Sequence, residues 1–197
     1  MAHLEAPPPG HRIVPARTTY LEMLRNEVPA LPDEPAGFRI ERWARPSRDE
    51  YRALFSAIGG DWGWTGRLLL RDAELDALLA DPRVEIYRLI AEPDDAVAGF
   101  AELERQTDGS VEIAYFGLVR DFIGQGLGGV LLRWAINRAW AGEGANETGP
   151  TRRVWLHTCD FDSETALGFY RHLGFAVFDE KVEMEPYPED FLAKLGR

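Results

Sequence analysis

Four glycines fall within six residues, Gly124, Gly126, Gly128 and Gly129, directly after an apolar stretch of chain. The stretch Val111–Val119 reads as a strand with one charged residue, Glu112, near its start. Arg120–Ile123 then forms a short turn, and the residues after the glycines, to Ala141, read as a helix of about three turns. Glycine at such a junction allows backbone conformations closed to other residues, and it lets a ligand approach the main chain without meeting a Cβ. The unpaired N–H groups and positive dipole end of the following helix make this an anion site, suited above all to phosphate. Hydrogen bonds to a charged group contribute about 1.5–3 kcal/mol each. A few main-chain donors therefore suffice for a diphosphate, which matters because the loop has no lysine.

Other residue types invite chemistry with less support. His157 and Cys159 lie two apart on one predicted strand and face the same side, but two ligands without partners do not make a zinc site, so no metal is expected. A buried, hydrogen-bonded histidine is expected over a catalytic base, and a core cysteine over a nucleophile, for which no positioned partner stands in the sequence. Asp160 and Asp162 are expected to cap the next helix, with help in binding a cation as the alternative. Trp62 and Trp64 sit in the glycine-rich loop GGDWGWTG, where they either wall a pocket or cover the core from outside. Trp62, Trp64 and His157 are the candidate substrate-binding side chains. The spacing of Gly124, Gly126 and Gly129 also matches the dinucleotide pattern G-x-G-x-x-G. That fold wants the motif on its first strand, an acid about 20 residues on and repeated crossovers. Here an antiparallel meander precedes the loop, the nearest strand-end acid, Asp160, lies well beyond that spacing and only one parallel crossover fits, which argues against it.

The remaining elements must position these groups. Residues 1–16 hold Pro7, Pro8, Pro9, Gly10 and Pro15 and read as a mobile or polyproline-like arm. Thr18–Met23 reads as an edge strand, with a helical turn over Leu21–Val28 as the alternative. Pro29, Pro32 and Pro35 punctuate a connector, so residues 1–36 are taken as arm and connector and 37–197 as the domain. Phe38–Trp43 alternates as a half-buried strand. Ser47 and Glu50 form a capping box ahead of Tyr51, Leu54, Phe55 and Ile58, a helix ending at Gly59–Gly60. Asp72–Ala80 is a second helix closed by Pro82. Val84–Ala91, Ala96–Arg105 and the strand bearing Glu112 form an antiparallel meander. Arg153–Cys159 is a buried strand, Ser163–Leu173 a helix stopped at Gly174, Phe175–Met184 a last strand and Pro186–Arg197 a tail.

Composition bounds the function. The chain has 197 residues, 45% of them hydrophobic, enough for one domain with a full core. A net charge of −11 argues against a nucleic-acid partner, which needs a basic face. It agrees with a cationic substrate. A single cysteine excludes an internal disulfide framework, and no apolar leader or apolar run of membrane length is present, so a cytoplasmic protein without membrane contact is expected. Edge strands and the arm make a homodimer plausible.

Glu112, the run IGQGLGG (Ile123–Gly129), the helix after it and ALGFYRHLGF (Ala166–Phe175) together resemble the GCN5-related N-acetyltransferases, over roughly Phe38–Met184. The resemblance implies an α/β fold with a mixed, mostly antiparallel sheet, splayed where acetyl-CoA inserts and flanked by helices on both faces. It implies cofactor contacts from Leu118 and Val119, from Ile123, Gly124, Gln125, Gly126, Leu127, Gly128 and Gly129, and from Ser163. The family's glycine motif opens with Arg or Gln, where this chain has Ile123, leaving binding to the N–H groups of Gln125–Gly129. Ser163 stands where the family often has Asn.

The resemblance also implies acetyl transfer to a primary amine of a small molecule, by direct attack in a ternary complex. An alkyl ammonium with a pKa near 10.4 needs roughly 4.6 kcal/mol to become the free amine at pH 7, so a base is required. Glu112 occupies the position of the family's general base, and its alternative role is a structural carboxylate paired with an arginine. Tyr170 occupies the position of the acid that protonates the departing thiolate. A non-catalytic acyl-CoA-binding regulatory domain, or an N-acyltransferase acting on proteins or peptides, are the alternatives.

Overall fold

The structure of the chain, a computed structural model, describes residues 6–24, 28–31, 33, 35–141 and 150–197. Seven strands form one sheet in the order β2-β3-β4-β5-β6-β1-β7. They are β1 (His11–Met23), β2 (Phe38–Arg42), β3 (Val84–Ala91), β4 (Ala96–Arg105), β5 (Ser110–Leu118), β6 (Arg153–Cys159) and β7 (Ala176–Pro188). All neighbours are antiparallel except β5 and β6, which run parallel. The helices are α1 (Arg48–Gly59), α2 (Asp72–Ala80), α3 (Leu127–Ala141), α4 (Ala166–His172) and α5 (Glu189–Lys194). Among the described residues, no helix is long and apolar enough to cross a membrane.

Strand alternation divides the core between the two faces of the sheet. Ile86 and Phe100 point to one side, where Tyr51, Phe55 and Ile58 of α1 and Leu75 of α2 cover them. Tyr87, Leu89 and Leu103 point to the other, with Leu131, Leu132 and Ile136 of α3. α1 starts at a capping box: Glu50 N–H donates to Ser47 Oγ at 3.3 Å, and Ser47 N–H donates back to Glu50 Oε2 at 3.1 Å. This satisfies two N–H groups that the first turn leaves without partners. Phe161, Tyr187, Phe191 and Leu192 make a third cluster that pins α5 to the sheet. The expected mixed sheet with flanking helices is the observed architecture.

The boundaries differ at both ends of the chain. The expected arm becomes regular structure at His11, and Thr18–Met23 is an interior segment, paired with β6 on one side and β7 on the other. Residues 1–5 and Pro32, assigned above to arm and connector, lie outside the described residues, as do residues 25–27 of the alternative helical turn. The tail expected from Pro186 instead completes β7 and forms α5. The helix expected from Ser163 starts at Ala166.

The sheet parts between β5 and β6. Their ladder holds only Ser110–Arg153, Val111–Val154 and Glu112–Trp155. Beyond Glu112 the two strands continue without pairing, while β5 stays bonded to β4 as far as the Leu118–Gly99 pair. The edge of β5 is thus left open along about 20 Å of strand, at about 3.3 Å per residue.

Candidate active site

The parted strands border a cavity of about 340 Å³. Residues of four strands line it, among them Glu112 on β5, Trp155 and His157 on β6, Thr18 and Tyr20 on β1, and Glu183, Glu185 and Tyr187 on β7. The segment Trp62–Gly66 closes one side and Tyr170 of α4 reaches in from another. Trp64 fills both roles proposed for it. Its ring packs 5.5 Å from Phe55 and 5.2 Å from Tyr115, between centroids, while its Nε1–H donates to Asp162 Oδ1 at 3.3 Å.

The carboxylates are held individually. Asp162 accepts from Thr158 Oγ1 at 2.7 Å and from Cys159 N–H at 2.9 Å, so it ties off the end of β6. Asp160 accepts from Arg17 N–H at 3.1 Å. Neither caps α4, whose N-cap is Thr165, so the expected capping role is corrected. Glu183 accepts from Tyr20 Oη at 2.8 Å. Burial, with Glu183 close by, pushes the Glu185 carboxyl above its usual range.

Glu112 meets no arginine among the described residues; its ion-pair contact is His157, whose Nδ1 lies 3.3 Å from Glu112 Oε1. His157 is 38% exposed, against the buried role expected for it, because the parting of β5 and β6 opens that face of the strand. Burial lowers its pKa, but the bond to Glu112 and the charges of Glu112, Asp162 and Glu183 outweigh this and raise it above its ordinary value. Cys159, expected in the core, is half-buried on the cavity wall with Sγ 3.5 Å from Tyr187 Oη. Burial beside Asp162 raises its thiol. Burial, with Asp162 adding, also raises the Tyr170 phenol, which stays protonated through the neutral range.

At the far end of the open strand edge lies the glycine loop. Gly124 and Gly126 take φ values of 86° and 78°, and an added Cβ at either would meet nothing within 4 Å. No acceptor is found among the described residues for the main-chain N–H groups of Gln125, Gly126, Leu127 and Gly128, just where α3 begins. The Gly129 N–H differs from expectation, since it donates to Gly126 O at 3.1 Å. The Val119 N–H is likewise committed, to Ala98 O at 2.9 Å. Gln125 Nε2 donates to Asp121 O at 3.0 Å, closing the loop on itself. Ile123 is 55% exposed, and Leu118 packs into the core near Gly128. Ser163 Oγ lies 2.9 Å from Thr165 Oγ1. A short strand-to-helix loop whose main-chain N–H groups have no acceptor among the described residues fits a diphosphate, and the unpaired edge of β5 fits an extended amide-bearing arm.

The model of the acetyltransferase (GNAT) family matches residues 41–175. The chain belongs to that family. None of the curated proteins matches it by sequence. Among solved structures, a GCN5-related N-acetyltransferase from Kribbella flavida is 23% identical with a TM-score of 0.59, covering 94% of this chain and 63% of its own. A tandem GNAT protein from the clavulanic acid biosynthesis pathway is 18% identical with a TM-score of 0.63, over 92% of this chain and 59% of its own. A conserved protein of unknown function from Staphylococcus epidermidis is 17% identical with a TM-score of 0.63, over 91% and 63%. At these identities the likeness concerns the fold. This GNAT chain spans 59–63% of the length of those three proteins.

Sequence reasoning missed Tyr20, Glu183, Glu185 and Tyr187. The alternation Glu183, Glu185, Tyr187 on a strand could have placed them on one face, but the last strand was ended at Met184. Arg67 was also missed. Its guanidinium donates to Glu102 Oε1 at 2.6 and 3.0 Å, bonds Glu104, and lies 5.0 Å over the Tyr115 ring that lines the cavity.

Proposed function

We propose that this GNAT protein is an acetyl-CoA-dependent N-acetyltransferase acting on a primary amine of a small molecule, by direct attack in a ternary complex. The observation that carries the reading is the open edge of β5, which runs from the glycine loop to the carboxylate-lined cavity. The N–H groups of Gln125, Gly126, Leu127 and Gly128 would hold the diphosphate, with Leu118 and Val119 beside the arm. Ile123 and Ser163 border this path. Acetyl-CoA, when bound, supplies the acyl group as an activated thioester.

The cavity favours a cationic acceptor. Among the described residues its lining holds the carboxylates of Glu112, Asp162, Glu183 and Glu185 and no lysine or arginine. Tyr20, Trp62, Trp64 and Trp155 supply ring faces suited to an alkyl ammonium. The acceptor's proton leaves at the Glu112 end, and the Tyr170 hydroxyl, kept neutral by its burial, donates to the leaving sulfur. The test is acetyl transfer from acetyl-CoA to a panel of amines, followed by thiol release. Transfer to cationic primary amines is expected; no transfer to any amine, with no coenzyme A binding at millimolar concentration, overturns the reading.

A further inference from the structure

The geometry points to His157 as the catalytic base, with Glu112 as the residue that positions it. This rests on the acetyltransferase reading and names the atom that first takes the acceptor's proton. His157 Nδ1 faces Glu112 Oε1 at 3.3 Å across the last rung of the β5–β6 ladder, where Glu112 is opposite Trp155. A carboxylate at Nδ1 selects the neutral tautomer that carries its proton there, which leaves the lone pair on Nε2. No hydrogen-bond partner for Nε2 is found among the described residues, and the ring is 38% exposed on the cavity wall. The Glu112 side chain is only 14% exposed, so the imidazole is the more open of the two to an incoming amine. The ring also packs in a cluster with Tyr20 and Trp155, whose centroids lie 5.8 and 6.4 Å from it.

The balance of the step is simple. The acceptor ammonium gives its proton to His157 Nε2, the amine nitrogen bonds the acyl carbon, the carbon–sulfur bond breaks, and the thiolate takes a proton from the Tyr170 hydroxyl. The amide nitrogen then loses its remaining extra proton to solvent, Tyr170 is reprotonated from solvent, and the His157 imidazolium returns its proton to solvent, which restores both side chains. The imidazolium formed on the way is stabilised by Glu112 at Nδ1. The other groups facing this ring are Asp162 after β6, Glu183 and Glu185 on β7, Tyr20 on β1 and Tyr170 on α4, all acidic or neutral.

Because these carboxylates raise the imidazole's pKa, the neutral base form is gained as pH rises through a value above 6.5. The limb of kcat against pH, at saturating acceptor, should fall there. His157→Gln is expected to lower kcat by about 10²–10⁴-fold and to remove that limb. Glu112→Gln keeps an acceptor for Nδ1–H but not the charge, so the limb should persist and move to lower pH. The imidazole titration followed by NMR in the protein alone should move the same way. Wild-type kcat and limb in His157→Gln, or loss of the limb in Glu112→Gln with no change in the imidazole titration, overturn the assignment. If the wild-type protein transfers acetyl to no amine, the transferase reading fails and takes this one with it. Undiminished transfer in His157→Gln sinks the base assignment alone.

Discussion

Two alanine substitutions two residues apart in the glycine loop should have opposite effects. Gly126 has φ of 78° and Gly128 lies inside the first turn of α3. At Gly126 there is open space around an added Cβ, so Gly126→Ala creates no clash, and its cost is the left-handed backbone alone. That cost is about 1–2 kcal/mol for a residue with a Cβ. The loop has few bonds to resist it, so the strain should be relieved by a local turn of the peptide rather than by unfolding. The amides of Gln125 to Gly128 would then have to be driven back for a diphosphate to bind, raising the Kd for coenzyme A about 5- to 30-fold. At Gly128 the new methyl would lie 3.8 Å from Leu118 and Phe116, ordinary contact, and alanine is favoured over glycine in a helix by about 1 kcal/mol. Gly128→Ala should bind like the wild type and melt at the same temperature or higher. Calorimetric titration with coenzyme A and thermal unfolding of both variants form the assay. Equal affinity in Gly126→Ala and wild type would refute the claim that this backbone cradle does the binding. Equal loss in both variants would show that the cradle tolerates no methyl anywhere, contrary to the space described.

Arg67→Met should destabilise the fold by about 3–5 kcal/mol in denaturant unfolding, because Glu102 is fully buried and loses its counter-charge; a loss below about 1 kcal/mol would contradict the pairing. Glu104, pushed up by burial and by Glu102 and Glu112 despite Arg67, binds its proton more tightly folded than unfolded. Its contribution to stability therefore falls as pH rises from about 4.5 through its folded pKa; Glu104→Gln should flatten the stability profile across that window, measured by unfolding at several pH values. Tyr170→Phe should lower kcat about 10²–10⁴-fold with coenzyme A affinity and melting temperature kept; an unchanged kcat would remove the tyrosine from proton transfer. Replacing Glu183 and Glu185 together by Gln should raise KM for a cationic amine about tenfold, equivalent to about 1.4 kcal/mol, with little change in kcat; an unchanged KM would place the acceptor elsewhere in the cavity.

Local signals carried much of the fold. The Ser47–Glu50 box fixed the start of α1, and the glycine run marked the junction between β5 and α3. The N-terminal strand was hidden by its prolines. Residues His11–Arg17 pair only with β7, so the missing N–H of Pro15 does not have to meet a partner on both sides. Whether Thr18–Met23 is edge or interior depends on the last strand of the chain, which local pattern does not report. The same holds for the site. His157 reads as buried from its apolar neighbours Trp155 and Leu156, and only the separation of two parallel strands exposes it. Glu183 and Glu185 look like a solvated strand end until β1 brings Tyr20 to them.

The place of β1 has a kinetic consequence. The first strand is clasped by the last two, and the hydrogen bond from Tyr20 to Glu183 spans 163 positions. Closing so large a loop costs entropy before any contact repays it, which slows formation of the native sheet. β1 can complete its pairing only after β6 and β7 have been synthesised, so the cavity that these strands help to line is among the last parts of the fold to take shape.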